Sequence, residues 1–159
     1  MEALKTTLEN IGFQNVQTYI QSGNVFVDSD EENPSKVGFQ IKQEIFKELG
    51  LEVPVVVISK EDLEACLKNN PYLKEKDCDT KKLYVAFLSK ELQGSAINDL
   101  KISQFKPDEA TIDKSRIYIK YAVGAGKTRL DQKYIEKKLN VVATIRNWNT
   151  VTTLLEMFE

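Results

Sequence analysis

Apolar residues recur every three or four positions in some stretches of the chain and every second position in others. These two periods mark helices and strands respectively. Leu4, Leu8 and Ile11 fall at i, i+4 and i+7, which predicts a helix up to a stop at Gly12. Val16–Gln21 and Val25–Val27 are β-rich runs around Ser22-Gly23-Asn24, the pattern of a hairpin. After the polar loop Asp28–Pro34, Val37, Ile41, Ile45 and Leu49 form a second helical stripe, with Ser35 as the expected cap and Gly50 as the stop. Val53–Ile58 is β-branched throughout except for Pro54 and predicts a buried strand.

Ser59-Lys-Glu-Asp62 has the form of a capping box and opens a helix through Leu63, Cys66 and Leu67 that Asn70-Pro71 breaks. Residues 71–82 are charged and predict a connector. Leu83–Leu88 is again strand-like, and Glu91–Lys101 has a weaker helical pattern. Ala110–Asp113 and Arg116–Tyr121 predict a hairpin across Lys114-Ser115. Gly124-Ala-Gly126 is a loop, Leu130–Leu139 a helix closed by Asn140, and Val141–Ile145 a short strand. A last helix starts near Asn147, with Trp148, Val151, Leu155 and Phe158 on one stripe.

The order of elements repeats. The second half reads strand, helix, hairpin, helix, strand, and the first half reads helix, hairpin, helix, strand. Both fit the β-α-β-β-α-β pattern. The expected fold class is therefore α+β: two ferredoxin-like halves over 1–70 and 83–159, joined by 71–82, with a C-terminal helix. The first half lacks its opening strand, so either the chain is a truncated form of a longer protein or another segment fills the gap.

Composition narrows the chemistry. The 159 residues include no histidine, which excludes the Ser-His-Asp triad, the Cys-His pair and His-ligated metal sites. Two cysteines, Cys66 and Cys78, are too few for a disulfide scaffold, and no metal or cofactor motif is present. No apolar run approaches a membrane span and the N-terminus has no signal-peptide shape, so a cytoplasmic protein without membrane contact is expected. The formal net charge of −2 hides an asymmetry. Lys114–Arg146 holds nine basic and two acidic residues, a net +7 that leaves −9 for the remainder.

Gly124-Ala-Gly126-Lys127-Thr128 resembles the end of a phosphate-binding P-loop, but the residue five before Gly126 is Tyr121, where that motif needs glycine. What remains is a Gly-rich turn before a helix, where an anion could sit on backbone N–H groups beside Lys127 and Arg129. Arg129, Lys133 and Lys137 fall at i, i+4 and i+8 of the expected helix, and Arg116, Tyr118 and Lys120 share one strand face. With Arg146 these residues suit a phosphate-bearing small molecule or nucleic acid. The plain alternative is a flexible turn and a solvated positive face. A second cluster comprises Tyr19, Ser22 and Asn24 of the first hairpin and Asn147, Trp148 and Asn149 of the last helix, the latter three equally readable as a helix cap and buried anchor.

Four strings together resemble a known family: Thr18-Tyr-Ile-Gln-Ser-Gly-Asn-Val25, Leu83-Tyr-Val-Ala-Phe-Leu88, Gly124-Ala-Gly126 and Thr144-Ile-Arg-Asn-Trp-Asn-Thr-Val151. They are similar to the bacterial domain-of-unknown-function family 1697 over nearly the whole chain. The resemblance implies a small uncharacterised cytoplasmic protein and assigns no catalytic residues. Family members open with a strand and an R-G-I-N-V-G-G-like loop that this sequence lacks, and Gly126-Lys-Thr-Arg-Leu130 stands where the family reads more like G-R-S-K-L. Three functions follow from the sequence: a binding module for a phosphate-bearing ligand, an enzyme acting on a small anionic substrate between the halves, or a structural or assembly protein. The sequence does not fix the oligomeric state.

Overall fold

The computed structural model describes residues 2–19, 23–124, 126 and 128–158. The protein is α+β and falls into two compact units, Met1–Val57 and Ile58–Glu159. In the first unit, α1 (Glu2–Asn10) leads into a hairpin of β1 (Gln14–Tyr19) and β2 (Asn24–Asp28), and α2 (Pro34–Leu49) follows. The two strands are antiparallel, with Thr18 opposite Val25 and Tyr19 opposite Asn24. Leu8, Phe13, Val16 and Val37 form the core of this unit, with Val25, Val27, Ile41 and Val57 packed against it.

The cap of α2 is Asn33 rather than Ser35. Its side chain accepts the Ser35 N–H at 2.9 Å, and Pro34 takes the first helical position, where its missing N–H costs nothing. Gly50 closes the helix at φ 68° with its N–H on the Phe46 carbonyl at 2.9 Å. Val53–Ile58 is not a strand: among the described residues it joins no ladder. Its β-branched composition favours an extended backbone, but a strand also needs a neighbour to pair with. It packs sideways instead, with Val55 and Val57 against Gly38 of α2, where an added Cβ would meet the Val57 side chain at 3.3 Å.

The second unit begins with α3 (Lys60–Asn69), opened by the expected capping box. The Ser59 hydroxyl accepts the Asp62 N–H at 3.1 Å, and the Asp62 carboxylate accepts the Ser59 N–H at 3.5 Å. Residues 71–82 are built into this unit through two 3₁₀ turns, Pro71–Lys74 and Thr80–Lys82, and the buried Tyr72 shares a hydrogen bond with the Thr111 hydroxyl at 3.0 Å. The strands β3 (Leu83–Leu88), β4 (Glu109–Asp113), β5 (Arg116–Lys120) and β6 (Ala143–Asn147) form an antiparallel sheet in the order β4-β5-β3-β6. The helix expected over Glu91–Lys101 is instead two 3₁₀ segments, Gly94–Leu100 and Ile102–Phe105. Lys101 between them sits at φ 50°, which no continuous helix accommodates.

Alternation along the strands serves two layers. Ala86, Leu88, Ile117, Ile119 and Ala143 face a core completed by Leu100 and by Leu130, Ile135 and Leu139 in and around α4 (Gln132–Leu139). The opposite side, carrying Arg116 and Tyr118, meets α3, and α5 (Trp148–Glu156) packs on α3, β3 and β6. Among the described residues no helix is long and apolar enough to cross a membrane.

Candidate functional site

The Gly-rich loop follows β5, and donors on either side of it are engaged by the protein's own anion. Asp108 precedes β4, and Glu109 pairs with Lys120, so both loops leave the same end of the sheet. One Asp108 carboxylate oxygen accepts the Ala122 N–H at 2.8 Å, and the other accepts the Thr128 hydroxyl at 2.8 Å. The Thr128 oxygen in turn accepts the Leu130 N–H at 3.0 Å. Gly124 stands at φ 100°, the left-handed conformation glycine adopts without strain. Asp108, 20 residues before Thr128, thus ties together the two ends of this turn. Gly126 lies at the exposed rim, and Lys127 lies outside the described residues.

The helix beyond is also capped internally. Asp131 accepts the Tyr134 N–H at 2.9 Å, so α4 starts at Gln132 rather than at Leu130. Arg129 is thus outside the helix, and only Lys133 and Lys137 stand one turn apart on it. Arg129, Lys133 and Lys137 are all exposed, and among the described residues none has a carboxylate within 4 Å. Lys138 lies 5.7 Å from the centre of the Tyr134 ring, a cation–π distance.

The basic face of β5 is consumed by the fold. Arg116 is buried, donating through Nε to the Tyr118 hydroxyl at 3.0 Å and through a guanidinium nitrogen to Asp113 at 3.0 Å. Tyr118, also buried, donates to the Cys66 carbonyl of α3 at 3.1 Å. Burial works against the Arg116 charge, but Tyr118 and Asp113 outweigh it and hold the guanidinium above its ordinary pKa. Lys120 is held by Glu75 at 2.6 Å and Glu109 at 3.4 Å, and its ammonium pKa is raised, chiefly by Glu75. The alternation assigned these side chains to one face correctly, but that face is roofed by α3.

Replacement of Arg116 by methionine is accordingly expected to leave ligand binding unchanged and to cost less stability than loss of its partner, because the Asp113 left behind is partly exposed and can be solvated. Asp113→Ala, which strands the buried guanidinium, is expected to cost about 2–3 kcal/mol, somewhat below a fully buried pair because Asp113 is partly exposed. Urea unfolding of both variants checks the contrast; equal losses would show that the pair is not what Arg116 depends on.

Arg146 lies on β6 opposite Val85 and is half-buried, donating to the Thr144 hydroxyl at 2.7 Å and to the Ile145 carbonyl at 3.0 Å; burial lowers its pKa. The second cluster divides between the units. Tyr19 and Asn24 pair across the first hairpin, where the Asn24 amide donates to the Tyr19 carbonyl at 3.4 Å; Ser22 lies outside the described residues. In the second unit the Asn147 side chain caps α5 by accepting the Thr150 N–H at 2.8 Å, Trp148 is buried, and Asn149 is exposed.

Sequence reasoning missed Asp108 and Lys106. Pro107-Asp108 signals only a turn before a strand, and its relation to the Gly loop exists through the β4–β5 register alone. Lys106, Asp108, Gly124, Thr128 and Arg129, with Phe105, line a cavity of about 260 Å³ at this end of the sheet.

A family model described as "Protein of unknown function (DUF1697)" matches residues 1–118. The chain belongs to the DUF1697 family. No curated protein is significantly similar to it. Among solved structures, this DUF1697 chain resembles the conserved bacterial protein SP0830 from Streptococcus pneumoniae at 20% identity and a TM-score of 0.61, over 100% of its own length and 88% of that chain. The likeness carries the fold, and membership of the family assigns no activity.

Proposed function

We propose that this DUF1697 protein is a binding module for a phosphate-bearing ligand, taken on the exposed cations of the second unit. The observation that carries this reading is the division of the basic residues into two groups. Arg116 and Lys120 are matched by carboxylates, whereas Lys106, Arg129, Lys133 and Lys137 are exposed with no carboxylate within 4 Å among the described residues. Unmatched surface cations favour a polyanion and cost little to keep solvated. The Gly turn contributes by presenting Arg129, while Asp108 holds the Ala122 N–H and Thr128 hydroxyl on either side of it and Asp131 holds the Tyr134 N–H of α4.

The same reading takes both units as ferredoxin-like halves. Supporting it, the order β4-β5-β3-β6 places the opening strand of the second unit between its hairpin and its last strand. The first unit repeats the helix, hairpin and helix, followed by the β-branched run Val53–Ile58.

Fluorescence polarisation with a labelled single-stranded oligonucleotide and with a labelled nucleotide tests the binding reading. Binding is expected at about 50 mM salt and should weaken with a log–log slope near −2, the value for about three phosphate contacts to a single strand. The double variant Lys133→Glu, Lys137→Glu should abolish oligonucleotide binding. Absence of binding to either probe at low salt would end the proposal.

A further inference from the structure

Resting on the reading above, we propose that the cavity between the Lys106–Asp108 turn and the Gly loop is the site of a small phosphorylated polyol, a sugar phosphate in chemical class.

Three observations converge. First, Asp108 is fixed in place by the Ala122 N–H and the Thr128 hydroxyl, both at 2.8 Å. An ionised carboxylate offers about four acceptor positions, so roughly two remain for a ligand. A carboxylate held with spare lone pairs suits neighbouring hydroxyls, the chemistry by which acidic residues recognise ribose. Second, Lys106 and Arg129 line the same cavity, are exposed, and have no carboxylate within 4 Å among the described residues, Asp108 included. Two cations beside one carboxylate call for a ligand with both an anionic group and hydrogen-bond donors. A bare phosphate would meet the Asp108 charge directly; a polyol frame keeps the phosphate on the cations and turns hydroxyls toward the carboxylate. Third, about 260 Å³ is below the roughly 300–1,000 Å³ of pockets for drug-sized ligands. The pocket is open to solvent, with the half-buried Phe105 as an apolar wall, and has room for a single sugar phosphate.

Isothermal titration calorimetry with ribose 5-phosphate, ribose, inorganic phosphate and a short single-stranded oligonucleotide tests the assignment on the full chain. Ribose 5-phosphate is expected to bind at least about tenfold more tightly than ribose or inorganic phosphate, the size of effect that charge-assisted hydrogen bonds carry. Asp108→Asn should weaken ribose 5-phosphate by about tenfold or more and leave inorganic phosphate unchanged or tighter. Because Asp108 also ties the loop, Arg129→Ala provides a variant of an exposed side chain, expected to weaken both phosphate ligands while leaving the melting temperature unchanged. Equal affinity for phosphate and ribose 5-phosphate overturns the sugar assignment and leaves the phosphate reading standing. Ribose 5-phosphate binding that is indifferent to both Asp108→Asn and Arg129→Ala also overturns it, moving the ligand to the Lys133–Lys137 face. Failure of all phosphate ligands ends both proposals.

Discussion

Trp148→Ala is expected to destabilise the second unit by about 3–5 kcal/mol, the usual cost of truncating a buried aromatic residue. Trp148 is 5% exposed and occupies the first position of α5, directly after the Asn147 cap. Its helix packs on α3 and on β3 and β6, so the void would open where helix and sheet layers meet. For a unit of about 100 residues, each kcal/mol moves the melting temperature by roughly 4–8 °C, which gives a fall of more than about 12 °C. Circular dichroism melts read this without the tryptophan itself, and Trp148→Phe should retain much of the loss. An unchanged melting temperature for the alanine variant would show that the indole is not a packing anchor and would return it to consideration as a ligand contact.

The second large effect is a loss of stability in alkali. Burial pushes the Cys66 thiol from its ordinary 9.0 up to about 11, opposed in part by the Arg116 charge and the Tyr118 hydrogen bond. Burial likewise raises the Tyr118 and Tyr121 hydroxyls above their ordinary 10.0. Below about pH 9 the folded and unfolded chains both keep the Cys66 proton, and its contribution is fully present. Above that, the unfolded chain releases the proton while the folded chain retains it, so stability falls as pH rises toward 11. The loss from Cys66 alone is roughly 2–3 kcal/mol, and the tyrosines extend it upward. Trp148 is the chain's one tryptophan, so its fluorescence follows the second unit during urea unfolding. Midpoints should fall between pH 8.5 and about 10.5, with a shallower fall in Cys66→Ala. A flat profile over that range would contradict the buried network.

Local chemistry was legible in the sequence wherever a residue satisfies its own neighbours. The Ser59–Asp62 capping box, the Gly50 and Asn140 stops, the Lys114-Ser115 turn and the Asn147 cap are all set by side chains or left-handed backbone within a few positions of the groups they serve. What sequence could not give was the identity of distant partners. Alternation placed Arg116 and Tyr118 on one face of β5, but only the arrival of α3 decides that this face is covered. A Gly-rich turn before a helix reads the same whether its donors await a ligand or hold Asp108. Val53–Ile58 has strand composition, but a ladder requires a second backbone, and composition cannot supply one.

That last run has a consequence for colloidal behaviour. A β-branched hexapeptide that joins no ladder among the described residues has the composition of segments that stack into cross-β aggregates. Pro54 sits inside it, with no N–H to offer a docking strand and a ring that obstructs close stacking. The charged flanks Glu52 and Lys60 add repulsion on either side in a parallel, in-register stack. The residue least suited to a strand thus stands where it would obstruct pairing of this segment with a second copy.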